Sequence, residues 1–587
     1  MARDDSKKTV LKGQDAIYLW LQGRDAWNKW VEENPVADVS FRGVDFTRYQ
    51  EVIFRGFFFP IGVINFSNAK FGDGIVDFSA AKFGEGDIDF SEAQFGRGSV
   101  KFSLTVFGDG DVAFPMVEFG EGKVEFCYAR FGRGFVGFHK ARSCNGKVDF
   151  TGVHFGEGDV DFSFLKFDEV EFIDAHFDIG EVNFSNSQFN CVNFINTHFG
   201  EGDVNFDSVK FGEDAVNFSY AKFGTGDINF YKSQFGEGTN NFTLTKFGDG
   251  EVSFLDAKFG KGNVEFSQAL FGEGEVDFSG AQFKGGTISF FSTQFGKGNV
   301  WFSQAQFEKC AISFLSAHIS GNFHFSLSKN IYNVQSLSFE FATFGGAINF
   351  DNCKFKCIPD LTNTKLSHQL SLSNFNVEPK MENQSKGLTK IIISLQRIWF
   401  ARNLKYSRIK RAFELSNKFP WLSKYTAADK SDIGRIRRLK ELAESNKHHK
   451  LALDLHIEEM KCSRWIENTS KRSLFAEFLF EKFGDYGRSI QRPLVGMAVT
   501  GVLCSPIYYF NSTVKEPSFT DAMYYSFSQM LHLIPSSKTG RSELAIKLFG
   551  STDQIPNHIF LLSWAQSLIS IALVFLVGLA LRNRFRV

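Results

Sequence analysis

Between Phe71 and Phe90 the chain reads FGDGIVDFSAAKFGEGDIDF, and the second half of this stretch nearly repeats the first. Phenylalanines continue at 78, 83, 90, 95, 102, 107, 114, 119, 126 and 131, in alternating steps of seven and five, so the nominal unit is F-G-x-G-x-V-x-F-S-x-A-x. Where Gly-x-Gly is missing the step falls to five, as at Phe162, Phe167, Phe172 and Phe177. The glycine step is therefore a two-residue insertion into a pentapeptide frame. Apolar residues two apart, Val76 with Phe78 and Ala81 with Phe83, give the alternation of a very short strand that shows one side inward.

Four such faces, two plain and two carrying the insertion, predict a square coil of about 24 residues whose turns stack at about 4.8 Å. From about residue 40 to about 378 this makes an all-β solenoid of about 14 turns, with an interior ladder that includes Phe78, Phe83, Phe90, Phe95, Phe102, Phe114 and Phe126. A flat coil of about 12 residues is the alternative, and it suits bulky rings on both faces less well. Glycine is expected at the corners because it accepts positive φ and adds no side chain at a sharp bend.

The chain has 587 residues, 73 of them Phe, and a net charge of -1. That figure hides an asymmetry: residues 61–350 carry about -16 and the remainder about +15. The eight cysteines have no framework spacing, and the N-terminal stretch has no apolar run of signal-peptide length, so a reducing cytoplasm is expected for the bulk of the chain. No metal or cofactor is expected. The middle residues of the Gly-x-Gly corners, Asp73, Glu85, Arg97, Asp109, Glu121 and Arg133, mix acids with bases and cannot form a calcium ladder. His448, His449, His456, Glu459 and Cys462 lack zinc-site spacing. The repeat serines Ser79, Ser91 and Ser103 share one frame and do not converge with a base and an acid, so no catalytic residue is assigned and an enzyme is not expected.

The pentapeptide frame resembles bacterial pentapeptide-repeat proteins, and the resemblance implies a right-handed quadrilateral β-helix. LQGRDAWNKWVEENPVADVSFRGVDF, with Ala26, Trp27, Asn28 and Trp30 ahead of Phe41 and Phe46, is similar to the N-terminal helical cap of that family. Residues 1–38 are accordingly expected to form an amphipathic helix whose Leu19, Trp20, Trp27 and Trp30 cover the open end of the coil at 39–378.

Beyond Phe355 the repeat decays, and from about 386 helical spacing takes over. Residues 379–487 read as a basic helical neck that includes a helical hairpin joined near Ser445 to His448. Residues 488–587 read as a transmembrane hairpin, with spans 493–510 and 559–581 and a loop 511–558. Arg488 and Arg492 precede the first span and Arg582, Arg584 and Arg586 follow the second, so positive-inside counting predicts that both termini and the β-helix are cytoplasmic. The segments GDYGRSIQRPL and LALRNRFRV are similar to those of membrane-attached pentapeptide-repeat proteins, which implies a bacterial inner membrane. In the loop, Phe519, Asp521, Tyr524, Tyr525, Ser528 and His532 fall where two-helix potassium channels start a pore helix, but Leu531 to Ser536 lack the filter signature of that family. A re-entrant pore-lining segment and an interfacial helix both remain open.

Three functions follow. The favoured one is a membrane-anchored scaffold or sensor that binds an unidentified cytoplasmic protein and signals or oligomerises through its hairpin. The second is an oligomeric ion-permeable pore gated by the β-helix, suited to a bacterial defence effector. The third is a DNA-mimic inhibitor of a topoisomerase, which the membrane tether fits badly. Lipid and further copies of the chain are the expected partners, and nucleic acid is not.

Overall fold

In a computed structural model, residues 9–143, 146–326, 334–368, 370–383, 425–530, 536–552 and 555–585 are described. The chain forms two compact units, Met1–Glu378 and Pro379–Val587.

The first unit is a parallel β-solenoid of about 15 turns. Val76 pairs with Val100 and Val100 with Val124, while Ile88 pairs separately with Val112, so the coil closes after the longer of the two expected repeats. Two further ladders, through Lys82 and Val106 and through Gln94 and Glu118, complete four faces per turn. Where the glycine insertion is absent the turn shortens, and Lys166–Glu171 and Gln188–Asn193 run straight through the lost corner as six-residue strands.

The rings fill the interior as the spacing demands. Phe78 stacks on Phe54 at 4.8 Å and on Phe102 at 4.9 Å, and meets Phe90 edge to face at 5.7 Å. Such alternation of stacked and perpendicular rings places electropositive edges on electronegative faces. Val76, Phe78, Ala81, Phe83, Phe90, Phe95, Phe102, Phe114 and Phe126 are all buried. Where Thr or Ser replaces the interior Ala, its hydroxyl finds a carbonyl of the turn below, as Thr105 Oγ1 does with the Phe78 oxygen at 2.8 Å.

The corners differ from expectation in one respect. Gly98 needs no positive φ; it is required because a Cβ there would run into the carbonyl of Gly74 stacked beneath it. The left-handed residues come instead two positions after Phe78, Phe90, Phe102, Phe114 and Phe126 and need not be glycine: Ala80, Glu92, Leu104, Met116 and Tyr128 have φ of 54 to 58°, while Gly43, Gly56, Gly152 and Gly280 fill the same place in other turns. Each is held by its own backbone, the Ala80 N–H donating to Ser103 O at 2.9 Å. The preceding serine amide is satisfied by a side chain, Ser79 N donating to Asp77 Oδ1 at 2.8 Å.

At the N-terminal end the cap comprises a strand and two helices rather than a single helix. Strand β1 (Val10–Lys12) adds in parallel to β2 (Asp38–Ser40) and covers the exposed edge. Helices α1 (Gly13–Leu21) and α2 (Arg24–Glu33) are broken at Gly23, whose φ is 90°. Trp20 and Trp27 close the interior: their indole N–H groups donate to Ile53 O at 2.9 Å and Phe58 O at 2.7 Å, and Trp27 lies on Phe41 as the first rung.

The second unit opens with an antiparallel pair, Met381–Asn383 with Tyr425–Ala427. The basic stretch 386–416 lies outside the described residues. Helices α3 (Asp432–Ser445) and α4 (His449–Ser463) form the expected hairpin. Glu459 on α4 is gripped by Arg437 and Lys440 of α3. The adjacent His456, with these two cations, holds the Glu459 carboxyl at about 2 against the opposing effect of burial. Helix α5 (Lys471–Gly484) and a 3-10 turn (Asp485–Gly487) lead into α6 (Gln491–Phe510), α7 (Phe519–Met530), α8 (Ser536–Phe549) and α9 (Asn557–Arg584). Helices α6 and α9 are long and apolar enough to cross a membrane.

Candidate functional site

The polar side chains of α6, α7 and α9 converge on one place, and the apolar runs that contain them make that place conspicuous. Gly501 lies midway along the apolar run of α6. A Cβ on it would meet the Phe527 ring at 2.8 Å, so the glycine lets α7 approach the α6 backbone. Ser526 Oγ donates to the Gly501 carbonyl at 2.7 Å across that contact, and Ser505 Oγ donates to the same oxygen at 2.8 Å.

From α9 three side chains spaced to share one helical face reach α7. Gln566 Nε2 donates to Ser526 O at 3.0 Å and to Ser526 Oγ at 2.9 Å, while its Oε1 accepts from Tyr508 Oη at 2.8 Å. Ser567 Oγ donates to Gln529 O at 3.1 Å, and Ser570 Oγ donates to Met530 O. The last carbonyls of a helix have no partner within it, and here α9 supplies the donors. Gln566, Ser567 and Ser570 are all buried, as are Ser526 and Gln529.

This geometry fixes how deep α7 goes. Its first residue, Phe519, touches Tyr509 near the end of α6 at 5.7 Å, whereas its last, Met530, meets Ser570 at the midpoint of the 559–581 run. Twelve helical residues cover about 18 Å, more than half of a hydrocarbon core of about 30 Å. Helix α7 is lodged between α6 and α9, with Ala522 and Tyr525 in a buried cluster that also holds Tyr508, Leu548, Phe549 and Ile559.

The residues singled out in the loop separate accordingly. Tyr525 packs inward, 5.0 Å from the Tyr508 ring. Ser528 donates to its own helix at Tyr525 O, 2.7 Å away. Phe519 and Tyr524 are exposed and Asp521 half-buried, so these three form the outward side of α7. His532 lies outside the described residues. Of the basic flank, Arg488 pairs with Asp454 and Asp485, and Arg492 with Asp485 at 3.1 Å, while Arg582 and Arg584 are exposed and Arg586 lies outside the described residues.

A buried ionic knot sits just before α6. Arg464 donates to Glu477 at 2.8 Å, to Glu481 at 3.1 Å and to Tyr486 Oη at 2.7 Å. Burial pushes the Tyr486 hydroxyl well above its ordinary range, so it remains a neutral donor to these carboxylates. The turn that carries Tyr486 is tied to α9 by Asn583 Nδ2, which donates to Gly487 O at 3.1 Å.

Sequence reasoning passed over Gln566, Ser567 and Ser570, although polar residues at i, i+1 and i+4 inside a long apolar run were a usable signal. Among the described residues no group of three or more His, Cys, Asp or Glu side chains is placed to hold a metal ion. No family model matches this chain, and no match was found among curated proteins or solved structures.

Proposed function

We propose that this protein is an oligomeric, ion-permeable membrane pore whose β-solenoid lies on the cytoplasmic side and controls it. The observation that carries the reading is the lodging of α7 halfway down two apolar helices, its last two carbonyls met by Ser567 and Ser570 and its Ser526 held by Gln566. An anchor needs only a spanning helix. A third helix that stops at mid-depth brings backbone to a level where it is tolerated only inside protein or beside water. The outward side of α7, with the half-buried Asp521 and the exposed Tyr524, is the surface that neighbouring copies would turn toward a shared lumen.

The membrane-anchored scaffold remains the second reading, favoured by the long, stiff solenoid with its exposed polar faces. The two separate in a liposome flux assay on the full-length protein. The pore reading expects dye- or voltage-reported ion leak that Gln566→Leu reduces at least tenfold, because Tyr508 Oη and the Ser526 carbonyl lose their partner. A bilayer that stays tight at all protein densities would leave the scaffold in place of the pore.

A further inference from the structure

The solenoid is acidic in sum, yet one outward ladder is basic. Arg130, His154, His176, His198, Lys222 and Lys246 succeed one another turn by turn in parallel register. His176 and His198 stack at 4.6 Å, and Lys222 Nζ stands 2.8 Å from His198 Nε2. Burial and the neighbouring Lys222 disfavour the charged form of His198, which accepts from Lys222, so the fixed charges of the column are Arg130, Lys222 and Lys246. Lys222 and Lys246 stand directly across neighbouring strands, where like charges are destabilising. Among the described residues little offsets it. His154 Nε2 has Asp178 at 3.5 Å, and the Nδ1 atoms of His176 and His198 face the carbonyls of Asp174 and Asn196.

Past the next corner of each turn runs a column of the opposite sign: Asp159, Glu181, Asp203, Asp227 and Glu251, all exposed. Asp159, Asp203 and Asp227 each fix one oxygen on the backbone amide of the turn above, at 2.8 Å, which holds the other outward. Each acid follows its basic counterpart by five residues, so His154 and Asp159, His176 and Glu181, His198 and Asp203, Lys222 and Asp227, and Lys246 and Glu251 occupy the same turns.

We propose that the solenoids of two copies of this chain associate side by side at equal height, the basic ladder of one against the acidic ladder of the next. The spacing selects this partner. Both columns repeat once per turn, at about 4.8 Å, so they stay in step over every rung, whereas alternate residues of an extended peptide recur at about 6.6 Å and fall out of step. Equal height is what a rotation axis parallel to the solenoids imposes. Two different patches on one subunit make a heterologous contact, the kind that closes into rings. The inference deepens the oligomeric part of the pore reading and rests on it, but it does not require that ions pass. Individually exposed ion pairs contribute little, and it is their repetition in register that gives the contact its specificity.

The test uses two differently tagged full-length chains, one Lys222→Cys and the other Asp227→Cys, co-expressed, purified together and mildly oxidised. A disulfide-linked product carrying both tags is expected, at least tenfold more than when Asp159→Cys, about three turns away, replaces Asp227→Cys. Either variant expressed alone controls for the native cysteines. In a second arm, with His198→Cys and Asp203→Cys as reporters, Lys222→Glu with Lys246→Glu should abolish the product and Asp227→Lys with Glu251→Lys should restore it, which also shows that the charge variants fold. Absence of the matched product, or equal yields at matched and mismatched heights, overturns the proposal. A cross-linked ring in a tight bilayer would retain this contact and remove the pore; leak without cross-links would do the reverse.

Discussion

Phe126 touches rings on every side that the solenoid offers: it stacks on Phe102 at 4.8 Å and Phe150 at 5.0 Å, and meets Phe114 and Phe138 edge to face. Truncation to Ala would leave a cavity between turns that cannot collapse, because the backbone rungs above and below are fixed by their hydrogen bonds. Phe126→Ala is therefore expected to cost about 3–5 kcal/mol, read as a lower unfolding midpoint of the detergent-solubilised chain by circular dichroism. An unchanged midpoint would mean that the ring does not sit in the stack. At this scale the sequence was legible wherever geometry admits one residue type. The Phe spacing and the small interior residue at Ala81 and Ala93 could be read directly. The corner was half legible: Gly74 and Gly98 marked its place, but for close approach rather than for φ. Ala80, Glu92 and Tyr128 gave no sign of their left-handed backbone, since their amide bonds to the next turn, not their side chains, impose it.

The elements of the helical unit are joined by charge on one side and by neutral polar groups on the other. Between α3 and α4 the joint is Glu459, whose carboxyl titrates at about 2 with His456, Lys440 and Arg437 around it, against an ordinary value of 4.5. A depressed folded value means that the unfolded chain takes up the proton first. Glu459 therefore contributes its full share of stability above about pH 4.5 and loses it as pH falls toward 2. Glu459→Gln is expected to cost about 1–3 kcal/mol at neutral pH and to flatten the pH dependence across that window, checked by melting both proteins between pH 2 and 6. A wild-type curve that stays level there would contradict the pairing. The helical hairpin itself could be read from periodicity and from the break at Ser445 to His448. The depth of α7 could not. A polar stripe such as Gln566, Ser567 and Ser570 announces that something polar will be met, but the partner proved to be the backbone of Gln529 and Met530, which carries no sequence signal.

For the whole molecule the charge asymmetry decides which contacts with a membrane survive salt. The stretch 386–424 is strongly basic in sequence, and attraction between basic side chains and anionic lipid reaches over about 10 Å at 0.1 M salt and far less at higher ionic strength. Burial of α6 and α9 in hydrocarbon, as proposed above, would by contrast be hydrophobic and indifferent to ionic strength. If residues 488–587 supply the membrane contact proposed above, removing them should convert one kind of attachment into the other. The truncated chain should stay in solution with neutral vesicles, sediment with anionic ones at about 0.05 M salt, and be released at about 0.5 M, whereas the full-length chain should remain bound throughout. Sedimentation at both salt concentrations would place a hydrophobic membrane contact elsewhere, in the cap tryptophans or the neck, and α6 and α9 would then be read as the buried core of a soluble helical domain. Trp20 and Trp27 argue against the cap in that role, because both indoles are already committed to closing the solenoid through Ile53 and Phe58.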